Sequence, residues 1–324
     1  MSDEKQWAFP ESLRPKADAL AFDLERALDA MVLLRSEVPD EAFTAGILGT
    51  ERSGYGIVID AGGLVLTIGY LVTEARSIWL TTNRGRTVAA TVIAYDQATG
   101  FGLVQALARL DLAPIPRGTA SALQKDDNVT VLGHGGLGHA LAAQVLAKRE
   151  FAGYWEYVLD EAVFTSPAHP QWGGTALLDE SGRLAGVGSL LVQEESDGET
   201  RQVNMFVPID LLEPILPSLL ATGSNGLPPR PWLGFYVQEA EGRLVVGGVA
   251  EGGPAARAGV KAGDLVLGVG DQRVRGLAVM FRKVWSLGAA GVEVPLSLAR
   301  DGDVLRVSVR SVDRTDLLWK PRLH

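Results

Sequence analysis

From Val32 to about Ser189 the chain is a succession of short β-rich runs with no regular helical pattern between them. "YGIVID", "GLVLTIG", "SIWLTT", "TVAATVIAYD", "GLVQAL", "NVTVLG", "EYVLDEAVF" and "RLAGVGSLLV" are separated by Gly, Asp and Asn turn signals. Strands that follow one another this closely leave no room for crossover helices, so the region is expected to form an antiparallel sandwich or barrel. Ahead of it, Leu13, Leu20, Leu24, Leu28 and Met31 recur at helical spacings and predict one N-terminal helix over Ser12 to Met31. Behind it, Leu211, Leu212, Ile215, Leu219 and Leu220 predict a helix in the stretch from Phe206 to Gly223, with Pro214 and Pro217 restricting its first turn. "SNGLPPRP" then reads as a linker, with a domain boundary near Gly226. The expected organisation is a helical segment (1–30), a β domain (31–222), a linker (223–230), a second domain (231–313) and a tail (314–324).

Composition narrows the function classes. A chain of 324 residues that is 47% hydrophobic and 21% charged is long enough for two or three globular domains. Its net charge of −9 offers no broad basic face, which argues against nucleic acid as a partner. With no cysteine, thiolate nucleophiles, disulfides and Cys-ligated zinc are excluded. The stretch from Met1 to Leu20 has neither the basic start nor the apolar core of an export signal, and no apolar run reaches membrane-spanning length. A soluble, cytoplasmic protein is the expectation.

Two local patterns suggest chemistry without supporting it. Gly133, Gly135 and Gly138 form G-x-G-x-x-G after a strand, with Asp160 as a candidate ribose-binding acid. A dinucleotide site also needs βαβ units on both sides, and the flanking runs are short strands. His134 and His139 share that loop, but no third histidine lies at ligand spacing. Neither a cofactor nor a metal is expected.

A more specific pattern spans the chain. "SGYGIVIDAGGLVLTIGYLV", "AYDQATGFGLVQAL", "VLGHGGLG", "HPQWGGTALLDESGRLAGV", "FVPIDLL", "WLGFYV" and "GGPAARAGVKAGDLVLGVGDQRV" occur in this order. They resemble the HtrA/Deg family of trypsin-like serine proteases from about Met31 to Asp313. The resemblance implies a mainly β fold: a chymotrypsin/trypsin-like double β-barrel followed by a PDZ domain, with a short N-terminal helix. It also accounts for the glycines at 133–138, because family members carry a similar loop between the triad aspartate and serine.

Carried over position by position, the resemblance puts Tyr70 at the catalytic histidine, Gly100 at the orienting aspartate and Trp172 at the serine nucleophile. Acyl transfer needs an attacking oxygen, a base and an acceptor that fixes the base. Indole has no nucleophilic atom, a phenol of pKa about 10 is a donor at neutral pH, and glycine orients nothing. Gly173 falls in the former oxyanion-hole region, beside a bulky indole. The expectation is a pseudoprotease. The alternative is an active serine endopeptidase with a rebuilt site, for which Ser166, His169 and Thr175 are the nearby candidates.

The second domain keeps its resemblance better. Trp232, Leu233, Gly234 and Phe235 match the PDZ carboxylate-binding loop, whose N–H groups cradle a peptide C-terminus while the next strand pairs with the peptide. Phe281, Val284 and Trp285, on a helix expected around Ala278 to Leu287, are candidate pocket residues, with plain core packing as the alternative. Trp232 is placed to lie across the groove mouth. Trp7 and Phe9 in "QWAFP" either pack on their own domain or serve trimer formation, as aromatics near the start of the protease domain do in many family members. The implied partners are peptide C-termini or extended protein segments, in a scaffold, adaptor or chaperone role. A homotrimer or a mixed assembly with an active relative is also implied. Family members are commonly periplasmic, which conflicts with the cytoplasmic expectation.

Overall fold

The computed structural model describes residues 7–196, 199–240 and 242–320; Gln6 of the "QWAFP" stretch lies outside them. Strands β1 (Met31–Glu37), β2 (Glu51–Val58), β3 (Leu64–Ile68), β4 (Ser77–Thr82), β5 (Thr87–Tyr95) and β6 (Phe101–Ala106) close into a barrel in the order β1-β2-β3-β6-β5-β4. Leu34 of β1 pairs directly with Leu80 of β4, and both side chains are fully buried. A cross-strand pair of this kind is the unit that stabilises a barrel wall, each leucine adding about 1.5–3 kcal/mol by burial. A second barrel follows from β7 (Asn128–Leu132), β8 (Ala140–Gly153), β9 (Tyr157–Ser166), β10 (Ala176–Leu178), β11 (Leu184–Ser196) and β12 (Glu199–Pro208), in the order β10-β11-β12-β9-β8-β7. Val131, Leu141, Val163, Leu177 and Phe206 fill it. The expected double barrel is therefore present, and the strand pairings described for β1–β2, β1–β4, β2–β3, β3–β6, β4–β5, β5–β6, β7–β8, β7–β10, β10–β11, β11–β12 and β9–β12 are antiparallel.

The helices are shorter than the leucine spacing predicts. Residues 11–13 and 17–19 form isolated turns, and only α1 (Leu24–Asp29) is α-helical, opened by Asp23, whose Oδ1 accepts the Arg26 N–H at 3.0 Å. Pro15, which would clash with the carbonyl four residues earlier in a continuous helix, interrupts the pattern. Met31, the last residue of the stripe, is the first of β1. The four-residue α2 (Ala45–Leu48) lies in the β1–β2 connection. In the 206–223 stretch, residues 206–208 complete β12, and α3 (Leu216–Thr222) begins with Pro217 in its first turn. The run after Gly138 is strand β8 and not a helix, so the glycine loop opens no helix N-terminus for a pyrophosphate.

Contacts divide the chain into two units. One comprises the chain up to Arg149, Glu161–Gly226 and the chain from Trp319; the other comprises Glu150–Asp160 and Leu227–Leu318. This differs from the continuous boundaries expected from sequence at two places. The turn end of the β8–β9 hairpin groups with the second unit because Val158 is buried in that unit's hydrophobic cluster. Trp319 groups with the first because its N–H donates to Glu74 Oε1 at 2.6 Å and its ring packs beside Val38, Ala42 and Ala45.

The second unit carries β13 (Phe235–Ala240), β14 (Arg243–Val249), β15 (Leu265–Val269), β16 (Gln272–Arg273), β17 (Glu293–Arg300) and β18 (Asp303–Arg310). Their sheet order is β13-β14-β15-β17-β18, with β16 on β15. The short α4 (Pro254–Arg257) and the ten-residue α5 (Leu277–Ser286) complete it. Asp264 pins the turn into β15: its carboxylate takes Arg300 Nε at 2.6 Å and Nη2 at 2.7 Å, and also accepts the Lys261 N–H at 2.8 Å.

Candidate functional site

The first unit holds a groove of about 780 Å³ lined by Trp7, Tyr55, Tyr70, His139, Gln171 and Trp172, among others. Tyr70 sits on the single turn Gly69–Leu71 that follows β3, and Trp172 on the connection between β9 and β10. The two meet. The Trp172 side chain hydrogen-bonds the Tyr70 phenol, and since indole has only an N–H to offer, it is the donor. The phenol in turn donates to the Ser189 carbonyl at 2.9 Å. Gly100 lies beside them, its carbonyl accepting the Gly69 N–H at 2.7 Å. The structure thus brings positions 70, 100 and 172 together.

The backbone around Trp172 is fixed from two sides. The Gly173 carbonyl accepts the Tyr55 N–H at 2.8 Å, and the Gly174 N–H donates to Gly188 O at 2.8 Å. Thr175 gives both its N–H (3.1 Å) and its hydroxyl (2.9 Å) to the Trp172 carbonyl. Burial raises the Tyr70 phenol above its ordinary range, so at neutral pH it remains a protonated donor.

His169 is not brought to a hydroxyl. It is fully buried; its Nδ1 accepts the Gln171 N–H at 3.1 Å and its Nε2 faces the His139 carbonyl at 3.2 Å, which fixes the neutral Nε2–H tautomer. Asn204 clamps its backbone, accepting the N–H at 2.6 Å and donating to the carbonyl at 3.1 Å. Burial pushes the imidazole down to about 4. A folded-state value below the unfolded one means that His169 favours the fold above about pH 6.5, and that this contribution disappears as pH falls towards 4. Urea unfolding from pH 7 to pH 4 is expected to lose roughly 3 kcal/mol through this residue. His169→Gln should flatten that part of the profile, and parallel profiles for the two proteins would remove the assignment.

Burial likewise lowers His134 and His139. Among the described residues no group of three or more His, Cys, Asp or Glu side chains is placed to hold a metal ion. Trp7 covers His139 with ring centroids 4.3 Å apart, and Phe9 meets His169 edge-on at 5.1 Å. Both N-terminal aromatics therefore pack on their own barrel, with Phe9 anchored by its N–H to Gly138 O at 2.8 Å.

In the second unit, Leu233, Phe235, Phe281 and Val284 are all buried in one hydrophobic cluster. Trp285 is half-buried, stacked on Phe281 at 5.8 Å and covered by the Arg230 guanidinium at 4.0 Å. Trp232 is buried as well: its backbone bridges to Val312, and its ring lies against Gly234. It does not project from the loop. The Leu233 N–H donates to Glu156 Oε1 at 3.1 Å, and the Gly234 N–H also bonds this carboxyl. Burial pushes Glu156 up to about 8, against the downward pull of those two amides and of Arg314.

Residues 54–187 match the family described as trypsin-like peptidase domain, and residues 231–310 match the PDZ domain. The chain joins a trypsin-like peptidase domain to a PDZ domain, as HtrA-type proteases do. It is 24% identical to the serine endoprotease DegS of Salmonella typhimurium over 79% of this chain and 75% of that protein. It is also 24% identical to the "Probable periplasmic serine endoprotease DegP-like" of Halomonas elongata, over 81% of this chain and 57% of that one. Among solved structures, the HtrA-type protease AlgW with a tripeptide superposes with a TM-score of 0.54 at 19% identity, covering 95% of this chain and 99% of that one. The cytoplasmic expectation finds no support among these relatives; no described helix is long and apolar enough to cross a membrane.

Several residues that shape these sites carry no motif in the sequence. Arg52 reaches from β2 to donate to the carbonyls of Tyr70 (2.8 Å) and Thr73 (2.9 Å), holding the Tyr70 turn. Tyr55 lines the groove and its hydroxyl bonds the Gln171 side chain. Asn204 and Glu156 act over 35 and 77 residues of separation. No apolar pattern marks Arg52, the second residue of β2, which is buried between the exposed Glu51 and Ser53.

Proposed function

We propose that the peptidase domain is catalytically inactive and that the protein works by binding peptides, as a scaffold, adaptor or chaperone, through its PDZ domain. The observation that carries the first part is the hydrogen bond from the Trp172 indole to the Tyr70 phenol. At the two positions where the trypsin mechanism places a nucleophilic oxygen and a base, this chain has a donor bonded to a donor-acceptor that is itself engaged by Ser189. A second feature supports it. In the trypsin template the oxyanion hole uses the N–H of the nucleophile and of the residue two positions before it. Here those positions are Trp172 and Pro170, and proline has no N–H. Gly173, expected in the former oxyanion-hole region, lies one residue past the nucleophile position and is not one of that template's two donors.

Two of the three nearby candidates, His169 and Thr175, do not favour a rebuilt site. The Thr175 hydroxyl is committed to the Trp172 carbonyl, and both His169 ring nitrogens face backbone groups. For the PDZ domain, the support is the family match and the peptide present in the solved AlgW structure. Treatment of the full chain with a fluorophosphonate probe, alongside a casein-cleavage assay, is expected to give no covalent labelling and no cleavage above a buffer control. Labelling of a serine or threonine in either barrel would establish the active alternative instead.

A further inference from the structure

The amides that a PDZ carboxylate loop offers to a peptide C-terminus are already taken by the chain itself. Within the second unit, the Leu233 and Gly234 N–H groups both meet the Glu156 carboxyl at the turn of the β8–β9 hairpin. Glu156 is buried and has φ +63°, a left-handed conformation that is unfavourable for a non-glycine residue and persists only where the surroundings impose it. The surroundings do so on both sides. Tyr154 meets Tyr236 of β13 edge-on at 6.2 Å, on the strand that an incoming peptide would pair with. Arg282 of α5 holds the two arms of the hairpin, donating to Glu150 Oε2 and Asp160 Oδ1, each at 2.5 Å. Val158 completes the contact by entering the cluster that contains Phe281 and Val284.

From this geometry we infer that the hairpin turn is a built-in ligand of the PDZ loop, with the Glu156 carboxyl standing where a peptide's terminal carboxylate would bind. Peptides with a free C-terminus and an apolar last residue bind only by displacing it. The inference rests on the peptide-binding reading above. A terminal carboxylate is ionised at neutral pH, and charge-assisted hydrogen bonds are about twice as strong as neutral ones. Glu156, which burial holds up to about 8, meets the same amides largely protonated. The resident group is therefore the weaker of the two, and displacement is feasible.

The test uses the full chain and a fluorescein-labelled decapeptide with three apolar C-terminal residues and a free carboxylate, together with its C-terminal amide. Glu156→Gly removes the carboxyl and suits the left-handed backbone; Glu156→Gln keeps one acceptor oxygen and serves as the more conservative variant. Glu156→Gly is expected to bind the free-acid peptide at least tenfold tighter than the unsubstituted chain, Glu156→Gln by a smaller factor, and neither to gain for the amide. Hydrogen exchange at the Leu233 and Gly234 amides should accelerate at least tenfold in Glu156→Gly. Equal affinities for all three proteins, or unchanged exchange at these amides, would overturn the inference. Accelerated exchange with no peptide binding by any of the proteins would instead remove the peptide-binding reading, and competition with it, while the internal contact would stand.

Discussion

Restoring the three triad residue types together, by Tyr70→His, Gly100→Asp and Trp172→Ser, is expected to leave peptide hydrolysis near background. The triple substitution supplies an oxygen, a base and an orienting carboxylate at positions that the fold brings together. It leaves Pro170 in place. One oxyanion-hole donor is worth about 10²–10³ in kcat, because the charge that develops in the transition state meets a preorganised N–H or nothing. Adding Pro170→Gly should therefore raise the rate by about 10²–10³ over the triple variant. The measurement is hydrolysis of an activated ester and of casein by the two proteins. Equal rates would mean that Pro170 does not block the hole, and substantial activity in the triple variant would mean that the groove kept more of its machinery than we propose.

The second large effect concerns stability. A Cβ added at Gly174 would lie 1.9 Å from the Tyr55 carbonyl oxygen and 2.9 Å from Thr67 Oγ1, on a backbone with φ +79°. Neither neighbour can move freely, because Thr67 donates its hydroxyl to that same carbonyl at 2.6 Å and Tyr55 is paired to Gly173. Gly174→Ala is expected to cost at least about 4 kcal/mol, the range reached when backbone strain and overpacking act together. Gly136→Ala is the control: it shares a positive φ of 71° but meets nothing within 4 Å, so it should cost only about 1–2 kcal/mol. Denaturant midpoints of the two variants compare clash plus strain with strain alone. A Gly174→Ala protein within 1 kcal/mol of the unsubstituted chain would show that the loop relaxes, which is not expected of a segment bonded on both sides.

The barrels were legible in the sequence for a simple reason. Strands in these barrels are short and end at turns, so a β-rich run bounded by turn residues, such as Leu64–Ile68 between Gly63 and Gly69, shows in the residue order whatever the rest of the fold does. Helix length was less legible. The leucine stripe from Leu13 to Met31 records which residues are buried, and Leu24 and Leu28 are, but burial at helical spacing is also met by two turns, a short helix and the start of a strand. Phe281 and Val284 show the same limit: their spacing gave the face of α5, and the structure places them in the core cluster beside Leu233 and Phe235.

The sequence by itself determined that positions 70, 100 and 172 hold a phenol, a hydrogen and an indole, and that position 170 has no N–H. Residue type alone decides those chemical capacities. Only the tertiary structure decided what these groups do to one another: that the indole donates to the phenol, that Asn204 and two backbone groups fix His169, and that Glu156 reaches the Leu233 amide from 77 residues away. Periodicity reports the environment of each side chain, buried or exposed. It does not report its partner, because a hydrogen bond between distant segments depends on where the strands and turns carry the two groups and leaves no repeat along the chain.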